Sequence, residues 1–159
     1  MSRIRPLRDD EREWVRVLTR ELWADEIVVV HGVVYRPETL PGFMAMDEDG
    51  GRVGSISYTL EGSACEIVTL STSVEGAGHG RAMVEAVAET AGAAGCTRLW
   101  VTTTNDNIRA LGFYRALGFE ITEVREGAIE EARKLKSSIP SVSEDGVPIT
   151  HEIELERWL

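Results

Sequence analysis

A glycine-rich turn joins a strand to a helix near the middle of the chain. The strand is predicted over residues 65–72, where Ile67 and Val68 belong to a β-branched run. The sequence EGAGHGR follows at residues 75–81 and leads into a helix with one apolar face, which Gly95 ends. Backbone N–H groups at the start of a helix point outward with the helix dipole behind them, so this turn is suited to binding phosphate.

The turn matches neither of the two common nucleotide-binding loops. A Walker A loop requires G-x-x-x-x-G-K-[ST], and no Lys-Ser or Lys-Thr pair follows here. The dinucleotide pattern G-x-G-x-x-G fails because its third glycine falls on Arg81 when counted from Gly76, and on Met83 when counted from Gly78. Three glycines at alternate positions remain, which is compatible with a pyrophosphate site or with a tight structural turn.

The other elements predict a mixed α/β domain in which mostly antiparallel strands come first. Strands are expected near Ile4 and over residues 43–47, 53–60, 65–72, 98–103, 119–124 and 149–155. A first helix is expected from Asp10 to about Trp23, with Glu13 completing a capping box at its start. A second helix follows the glycine turn, a third runs from Asn107 to Leu117, and a fourth covers residues 128–135. Residues 24–41 stay ambiguous, with a partly extended stretch at 27–35.

Charge and length narrow the class of protein. The 159 residues fit a single domain over 1–159, and 17 basic against 27 acidic side chains give a net charge of −10. That charge argues against a nucleic-acid partner, because Lys and Arg supply most of the affinity for phosphate backbones. Residues 26–75 hold eight acidic and two basic side chains, whereas residues 76–136 hold eight of each. An anionic ligand is therefore expected in the second stretch, and the acidic remainder favours a cationic acceptor.

The sequence shows no membrane, secretory or metal-binding signal. No apolar run approaches the roughly 18 residues of a membrane helix, and the N-terminal sequence lacks the apolar core of a signal peptide. We therefore expect a cytoplasmic protein without a membrane partner. Cys65 and Cys96 have no metal-ligand spacing and are expected to be buried, reduced thiols. No cluster of His, Cys, Asp or Glu has ligand spacing, so no metal is predicted.

A second motif follows the next predicted strand. Residues 105–119 read NDNIRALGFYRALGF, in which Asn107, Ala110, Phe113-Tyr114 and Gly118-Phe119 fall at fixed offsets. Asn107 and Tyr114 are seven residues apart, two helical turns, and so share a helix face. Considered singly, Asn107 is a helix cap and Tyr114 a core aromatic residue.

Together, the two motifs resemble those of the GNAT superfamily of acyl-CoA-dependent N-acetyltransferases, over residues 64–124. The resemblance implies a central, mostly antiparallel sheet of about six or seven strands, splayed between strands 4 and 5 and flanked by helices. The segments LPGF (40–43), CEIVTL (65–70), TTNDN (103–107) and GAIEEARKLKSSIP (127–140) also resemble an uncharacterised bacterial branch of that family. Glu75 departs from the family pattern, which has Gln or Arg at this position.

The resemblance implies a catalytic acid, a catalytic base and a cofactor site. Tyr114 would protonate the leaving thiolate of acetyl-CoA. Glu66 would take the proton of the amine, directly or through water; it precedes Leu70 by four residues and is expected on the same face of the strand. The residues expected to hold acetyl-CoA are Leu70, Ser71, Thr72, Gly76, Ala77, Gly78, His79, Gly80, Arg81 and Asn107. The side chain of His79 is expected in solvent. His31 and Tyr58 are candidates for contact with the acceptor.

Several alternatives remain open at this stage. The chain is an N-acetyltransferase acting on a small molecule, an amino acid or a peptide amine, or it is a non-catalytic module of the same fold that senses acyl-CoA, for which Glu75 is the best support. An RNA-acetylating toxin would need a basic face that the sequence lacks. The alternating final strand could pair across a homodimer, and residues 127–148 form either a pocket lid or a packed crossover.

Overall fold

The computed structural model describes residues 3–159, which form a seven-stranded sheet, a two-stranded hairpin and four α-helices. The strands of the main sheet are β1 (Arg3–Pro6), β4 (Gly42–Met46), β5 (Arg52–Glu61), β6 (Ala64–Thr72), β7 (Arg98–Thr104), β8 (Glu120–Arg125) and β9 (Glu152–Trp158). The hairpin consists of β2 (Val28–Val30) and β3 (Val33–Tyr35). The helices are α1 (Arg12–Trp23), α2 (His79–Ala93), α3 (Ile108–Ala116) and α4 (Ala128–Leu135). The predicted mixed α/β class is confirmed.

The main sheet opens between its two parallel strands. The strand order is β1-β4-β5-β6-β7-β9-β8, and β6 pairs in parallel with β7 only from Ala64 to Ile67. Beyond Ile67, β6 stays paired with β5 as far as Thr72, and β7 stays paired with β9 as far as Thr104. The two strands therefore separate while each keeps its outer neighbour, as the predicted splay between the fourth and fifth strands of the sequence requires.

One face of the sheet carries the main core under α2 and α3. Apolar residues recur along α2 at helical spacing, and Met83, Val84 and Val87 are fully buried. They pack against residues of β5, β6, β7 and β9, among them Ile56 and Leu99. Each such side chain contributes roughly 1.5–3 kcal/mol through burial. This packing fixes the start of α2 beside the open part of the sheet.

The start of α1 differs from the predicted capping box. A short 3-10 turn, Asp9–Glu11, precedes the helix, and Glu11 rather than Glu13 reaches back, accepting a hydrogen bond of 3.0 Å from the Arg8 N–H. The reason is tertiary: the buried Glu11 carboxylate also binds Arg5 of β1 and Arg52 of β5. The expected pairing of Asp10 with Glu13 is therefore wrong.

The last strand also begins later than predicted. β9 starts at Glu152, so His151 precedes it and accepts a hydrogen bond from the Gly127 N–H at 3.1 Å on Nδ1, which ties β9 to the turn before α4. In the described sheet β9 lies between β7 and β8, and the edges are β1 and β8. Of the two edges of β9, both are occupied within this sheet, so the open possibility that β9 pairs across a dimer is not the arrangement found. No helix within residues 3–159 is long and apolar enough to cross a membrane.

Candidate active site

A cavity of about 430 Å³ lies where β6 and β7 separate. Its walls come from residues 67–70 of β6, residues 101–104 of β7, the helix α3, the end of α1, the strand β2, and α4 with the segment that follows it. The region 127–148 thus forms part of the cavity wall. The open edge of β6 beyond Ile67 leaves backbone groups facing this gap for an extended ligand.

Tyr114 enters the cavity from α3. The residue is only 5% exposed, and its ring packs edge-on against Phe113 and Phe119, at centroid distances of 5.1 and 5.3 Å. Within residues 3–159 its hydroxyl makes no hydrogen bond. Burial raises the pKa of Tyr114, so the phenol keeps its proton at neutral pH. The arrangement presents a protonated donor to whatever the cavity binds.

A β-bulge in β6 changes which side chains face the cavity. Ser57 lies opposite Thr69 and Tyr58 lies opposite Ile67, so Val68 is left as the extra residue. The bulge shifts the alternation by one residue, and Leu70 packs with Ile67 against the main core. The prediction that Glu66 shares a face with Leu70 is therefore wrong.

Glu66 is held by the β2–β3 hairpin on the opposite face of the sheet. Its carboxylate is buried, with Oε2 at 2.7 Å from Nε2 of His31, and it accepts a hydrogen bond of 2.7 Å on Oε1 from the hydroxyl of Tyr35. The hydrogen bond to Glu66 is the main cause that raises the pKa of His31. Neither Glu66 nor His31 is among the described residues that line the cavity, although their neighbours Ile67 and Val30 are.

His31 is itself fixed by its backbone. It has a left-handed conformation, with φ at 41°, and its N–H donates a hydrogen bond of 2.9 Å to the carboxylate of Glu152. Glu152 lines the cavity and also accepts a hydrogen bond from Nε of Arg125 at 3.2 Å. A connected set of polar groups therefore leads from Glu66 to the cavity wall.

The glycine turn is open, and two of its glycines have a left-handed backbone. Gly76 and Gly78 are left-handed, with φ of 74° and 81°, and a Cβ at either would have no protein atom within 4 Å. Gly80 has a different role, because a Cβ there would lie 3.2 Å from the ring of Phe113. The first N–H groups of α2 have no partner within the helix, so the turn can present them to an anion.

Three expectations about this region change in the structure. His79 begins α2 and is buried, so the prediction that its side chain lies in solvent is wrong; the left-handed turn at Gly78 directs the first helical residue inward. Asn107 lines the cavity but also caps α3, with Oδ1 accepting a 3.1 Å hydrogen bond from the Ala110 N–H. Glu75 forms an exposed ion pair with Arg109 of α3.

The other predicted site residues are distributed unevenly. Leu70 lines the cavity, Ser71 and Thr72 continue β6 beyond it, and Arg81 lies exposed in the first turn of α2. Tyr58 is buried in the main core, where its ring stacks on Phe43 at 6.0 Å, and it is not among the described residues that line the cavity. No group of three or more His, Cys, Asp or Glu within residues 3–159 is placed to hold a metal ion.

A comparison with protein families identifies the fold. The family model described as acetyltransferase (GNAT) family matches residues 5–119, well over half of the chain. The chain belongs to the GNAT acetyltransferase family. The resemblance predicted from the two motifs is thereby confirmed.

Relatives of this GNAT chain share its length. It is 39% identical over 131 residues to the uncharacterized protein YdhI of Bacillus subtilis (strain 168), with 82% of each chain covered. A GCN5-related N-acetyltransferase from Kribbella flavida has the same fold at a TM-score of 0.74 and 16% identity, covering 99% and 98% of the two chains. A Bacillus subtilis acetyltransferase solved in complex with CoA superposes at a TM-score of 0.71 and 18% identity, covering 100% and 99%.

Sequence reasoning missed both charged residues of the GNAT cavity, Lys136 and Glu152. Lys136 follows α4, lines the cavity and is only 6% exposed. One signal was present in the sequence: Lys134 and Lys136 are the two lysines among 17 basic residues, in a chain that otherwise uses arginine. No periodicity marks the position, because Lys136 lies outside any helix or strand.

Proposed function

We propose that this GNAT protein transfers an acetyl group from acetyl-CoA to a primary amine of a small molecule, an amino acid or a peptide. The amine attacks the thioester directly within a ternary complex, so the new C–N bond forms as the C–S bond breaks. The nitrogen of the protonated amine loses two protons, one before it attacks and one as the amide forms. The departing thiolate gains one proton, and the other is released to solvent. The observation that carries the proposal is the free hydroxyl of Tyr114, which lines the cavity at the opening between β6 and β7.

The residues present fit acetyl-CoA. The open edge of β6 after Ile67 offers backbone groups to the pantetheine arm around Leu70 to Thr72, and Asn107 borders the same cavity. The turn 76–81 offers backbone N–H groups to the pyrophosphate, since Gly76 and Gly78 hold the left-handed conformation without crowding. Acetyl-CoA supplies the activated acyl group. The protein positions the amine next to the thioester and carries out the two proton transfers.

Tyr114 and Glu66 are proposed for those two proton transfers. The Tyr114 phenol is protonated at neutral pH, as any tyrosine of ordinary or raised pKa is. It gives that proton to the leaving sulfur as negative charge develops there, and it regains a proton from solvent after the reaction. An amine with a pKa of about 10.4 is almost fully protonated at neutral pH, so a base is required. Glu66 does not line the cavity, so the proton reaches its buried carboxylate through water.

The alternative of a non-catalytic acyl-CoA sensor rests on Glu75. A carboxylate beside a pyrophosphate would weaken binding, but Glu75 is paired with Arg109, which offsets its charge. A sensor also has no need of the free Tyr114 hydroxyl in the cavity. The cytoplasmic location and a homodimer stay predictions.

Two measurements test the proposal. Calorimetric titration of acetyl-CoA into the purified protein, with desulfo-CoA and ATP as controls, should show micromolar binding of acetyl-CoA and no response to ATP. Thiol release with a panel of amines should then detect turnover, and Tyr114→Phe should lower kcat roughly 10²–10⁴-fold while sparing acetyl-CoA binding. Absence of acetyl-CoA binding would overturn the proposal. Tight binding with no turnover of any amine would favour the sensor.

A further inference from the structure

Few charged side chains line the cavity. Among the described residues that line it, the charged side chains are Lys136 and Glu152. Glu152 is already compensated, since it accepts hydrogen bonds from the His31 N–H at 2.9 Å and from Nε of Arg125 at 3.2 Å. The positive charge of Lys136 is therefore the one left without a counterpart in the described lining.

Lys136 is a largely buried residue, and its ammonium group has no hydrogen-bond partner among the described residues. Within residues 3–159 its side chain forms no hydrogen bond and no ion pair, although only 6% of the residue is exposed to solvent. Burial lowers the pKa of Lys136, and the nearby negative charge of Asp25 opposes this only in part. The ammonium nitrogen is not among the fully buried unpaired atoms of the described residues, so it keeps access to the cavity, and an anion bound there would form a charge-assisted contact with it.

The backbone around Lys136 is fixed. Its N–H donates to the carbonyl of Ala132 at 2.9 Å, and its own carbonyl accepts from the N–H of Ile139 at 3.4 Å. These bonds hold the residue between α4 and the segment that contributes Ser138–Pro140 to the wall. The side chain therefore belongs to an ordered part of the cavity.

The rest of the lining selects the remainder of the ligand. Apart from Lys136, Glu152, Asn107 and several hydroxyl groups, the residues that line the cavity are apolar, among them Trp23, Val28, Ile129 and Ile149. The cavity has a volume of about 430 Å³, and the pantetheine arm of acetyl-CoA would share it, so the space left for the acceptor suits a small molecule. An acceptor that satisfies both features has an anionic group for Lys136 and an apolar body for the walls.

We propose that the acceptor is an aminocarboxylate with an apolar body, such as an α-amino acid with an apolar side chain, and that Lys136 binds its carboxylate. This inference rests on the proposed acetyl transfer and names its substrate class. It reverses the expectation of a cationic acceptor, because the charge that lines the cavity determines recognition at short range, while the net charge of −10 acts only at long range and is screened by salt.

The test compares matched acceptors that differ only in the anionic group. Leucine, leucinamide and 3-methylbutylamine form one set, and phenylalanine, phenylalaninamide and phenethylamine form another. With the wild-type protein and acetyl-CoA, the carboxylates should be acetylated with a kcat/KM roughly 10- to 100-fold above that of their neutral partners, the size of one charge-assisted contact. Aminoalkyl phosphonates in the same assay distinguish a carboxylate from a phosphate-like anion.

Lys136→Met should abolish the preference for acceptors that carry a carboxylate. It should raise the KM for these aminocarboxylates and change the KM for the neutral amines little. Lys136→Arg should restore part of it. Lys134→Met is the matched control, since Lys134 is exposed and paired with Glu131 at 3.1 Å, and it should leave the preference intact. Thermal unfolding of each variant checks the fold, and Lys136→Met should be at least as stable as the wild type.

Several results would overturn the inference. Equal or better acetylation of the neutral amines would do so, as would a carboxylate preference that survives Lys136→Met, a preference for the phosphonates, or acetylation of Lys136 itself detected by mass spectrometry. If acetyl-CoA binds but no aminocarboxylate is acetylated, the substrate class is wrong and the acetyl-CoA site stands. If acetyl-CoA does not bind, the proposed function itself fails.

Discussion

The imidazole of His31 lies 2.7 Å from the carboxylate of Glu66, Nε2 to Oε2, across 35 residues of sequence. The contact joins the β2–β3 hairpin to the splayed strand β6, and Tyr35 donates to the other carboxylate oxygen. It is a charge-assisted pair when His31 is protonated, so its strength depends on pH. The hairpin that closes one wall of the cavity is therefore attached to the sheet through an ionisable contact.

This pair predicts a pH-dependent stability. The pKa of His31 is raised in the folded protein, chiefly by the hydrogen bond to Glu66, so its contribution is complete below the unfolded pKa of about 6.5. The contribution is lost as pH rises through the folded pKa. His31→Asn, which tolerates the left-handed backbone, should therefore lower the free energy of unfolding by about 1 kcal/mol more at pH 6 than at pH 9. Urea unfolding at both values measures the difference.

The same experiment in a Glu66→Gln background is its control. A neutral amide does not hold the imidazolium, so the pH dependence of the His31→Asn effect should disappear there. A destabilisation that stays constant or grows from pH 6 to pH 9 would contradict the assigned direction of the pKa shift.

Glu66→Gln also tests the proposed base. Without the carboxylate, kcat for amine acetylation should fall roughly 10²–10⁴-fold, while the affinity for acetyl-CoA stays within a few-fold of the wild type. Tyr35→Phe is the matched variant, because it removes one hydrogen bond to Glu66 and keeps the carboxylate. It should lower kcat far less. Glu66→Gln activity within three-fold of the wild type would exclude Glu66 as the base.

Glu11 predicts a second, structural pH dependence. Its carboxylate binds Arg5 at 2.6 Å and Arg52 at 2.7 Å. These contacts lower the pKa of Glu11 to about 2, and the hydrogen bond from Arg5 has the largest effect. The stability that Glu11 contributes is therefore present above its unfolded pKa, near 4.5, and is lost as pH falls toward 2. Glu11→Gln should cost about 3 kcal/mol at pH 7 and remove this part of the acid sensitivity.

Denaturant unfolding between pH 3 and 7 measures both effects of Glu11→Gln. Glu13→Gln provides the comparison, since Glu13 pairs with Arg16 on the exposed side of α1 and its removal should change stability little. If the two variants lowered the free energy of unfolding equally, the buried contacts of Glu11 with Arg5 and Arg52 would contribute no more to stability than an exposed ion pair.

The architecture could be predicted because it depends on repeating patterns. The strands with β-branched residues, the glycines before α2 and the spacing from Asn107 to Tyr114 all follow from local periodicity or from backbone conformation. The register of β6 could not be predicted, because the bulge at Val68 depends on how β6 pairs with β5. A shift of one residue moves each following side chain to the other face of the sheet. Lys136 was missed because it lines the cavity together with residues of α1 and β2 that are more than 100 residues away in sequence, which no local pattern encodes.

Glu75 gives the last prediction, on the affinity for the cofactor. It is exposed and paired with Arg109, at the start of the turn proposed to hold the pyrophosphate. Glu75→Gln removes a negative charge there and releases the guanidinium, so acetyl-CoA should bind roughly 2- to 10-fold more tightly at low ionic strength and less so in 0.5 M salt. Glu89→Gln makes the same charge change on the exposed side of α2, away from the turn, and should leave the affinity unchanged. Calorimetric titration of acetyl-CoA into the wild type and the two variants measures the three affinities. Weaker binding by Glu75→Gln would contradict the prediction. It would mean that the ion pair with Arg109 holds the turn in its binding shape, and that this pair compensates for having Glu where the family has Gln or Arg.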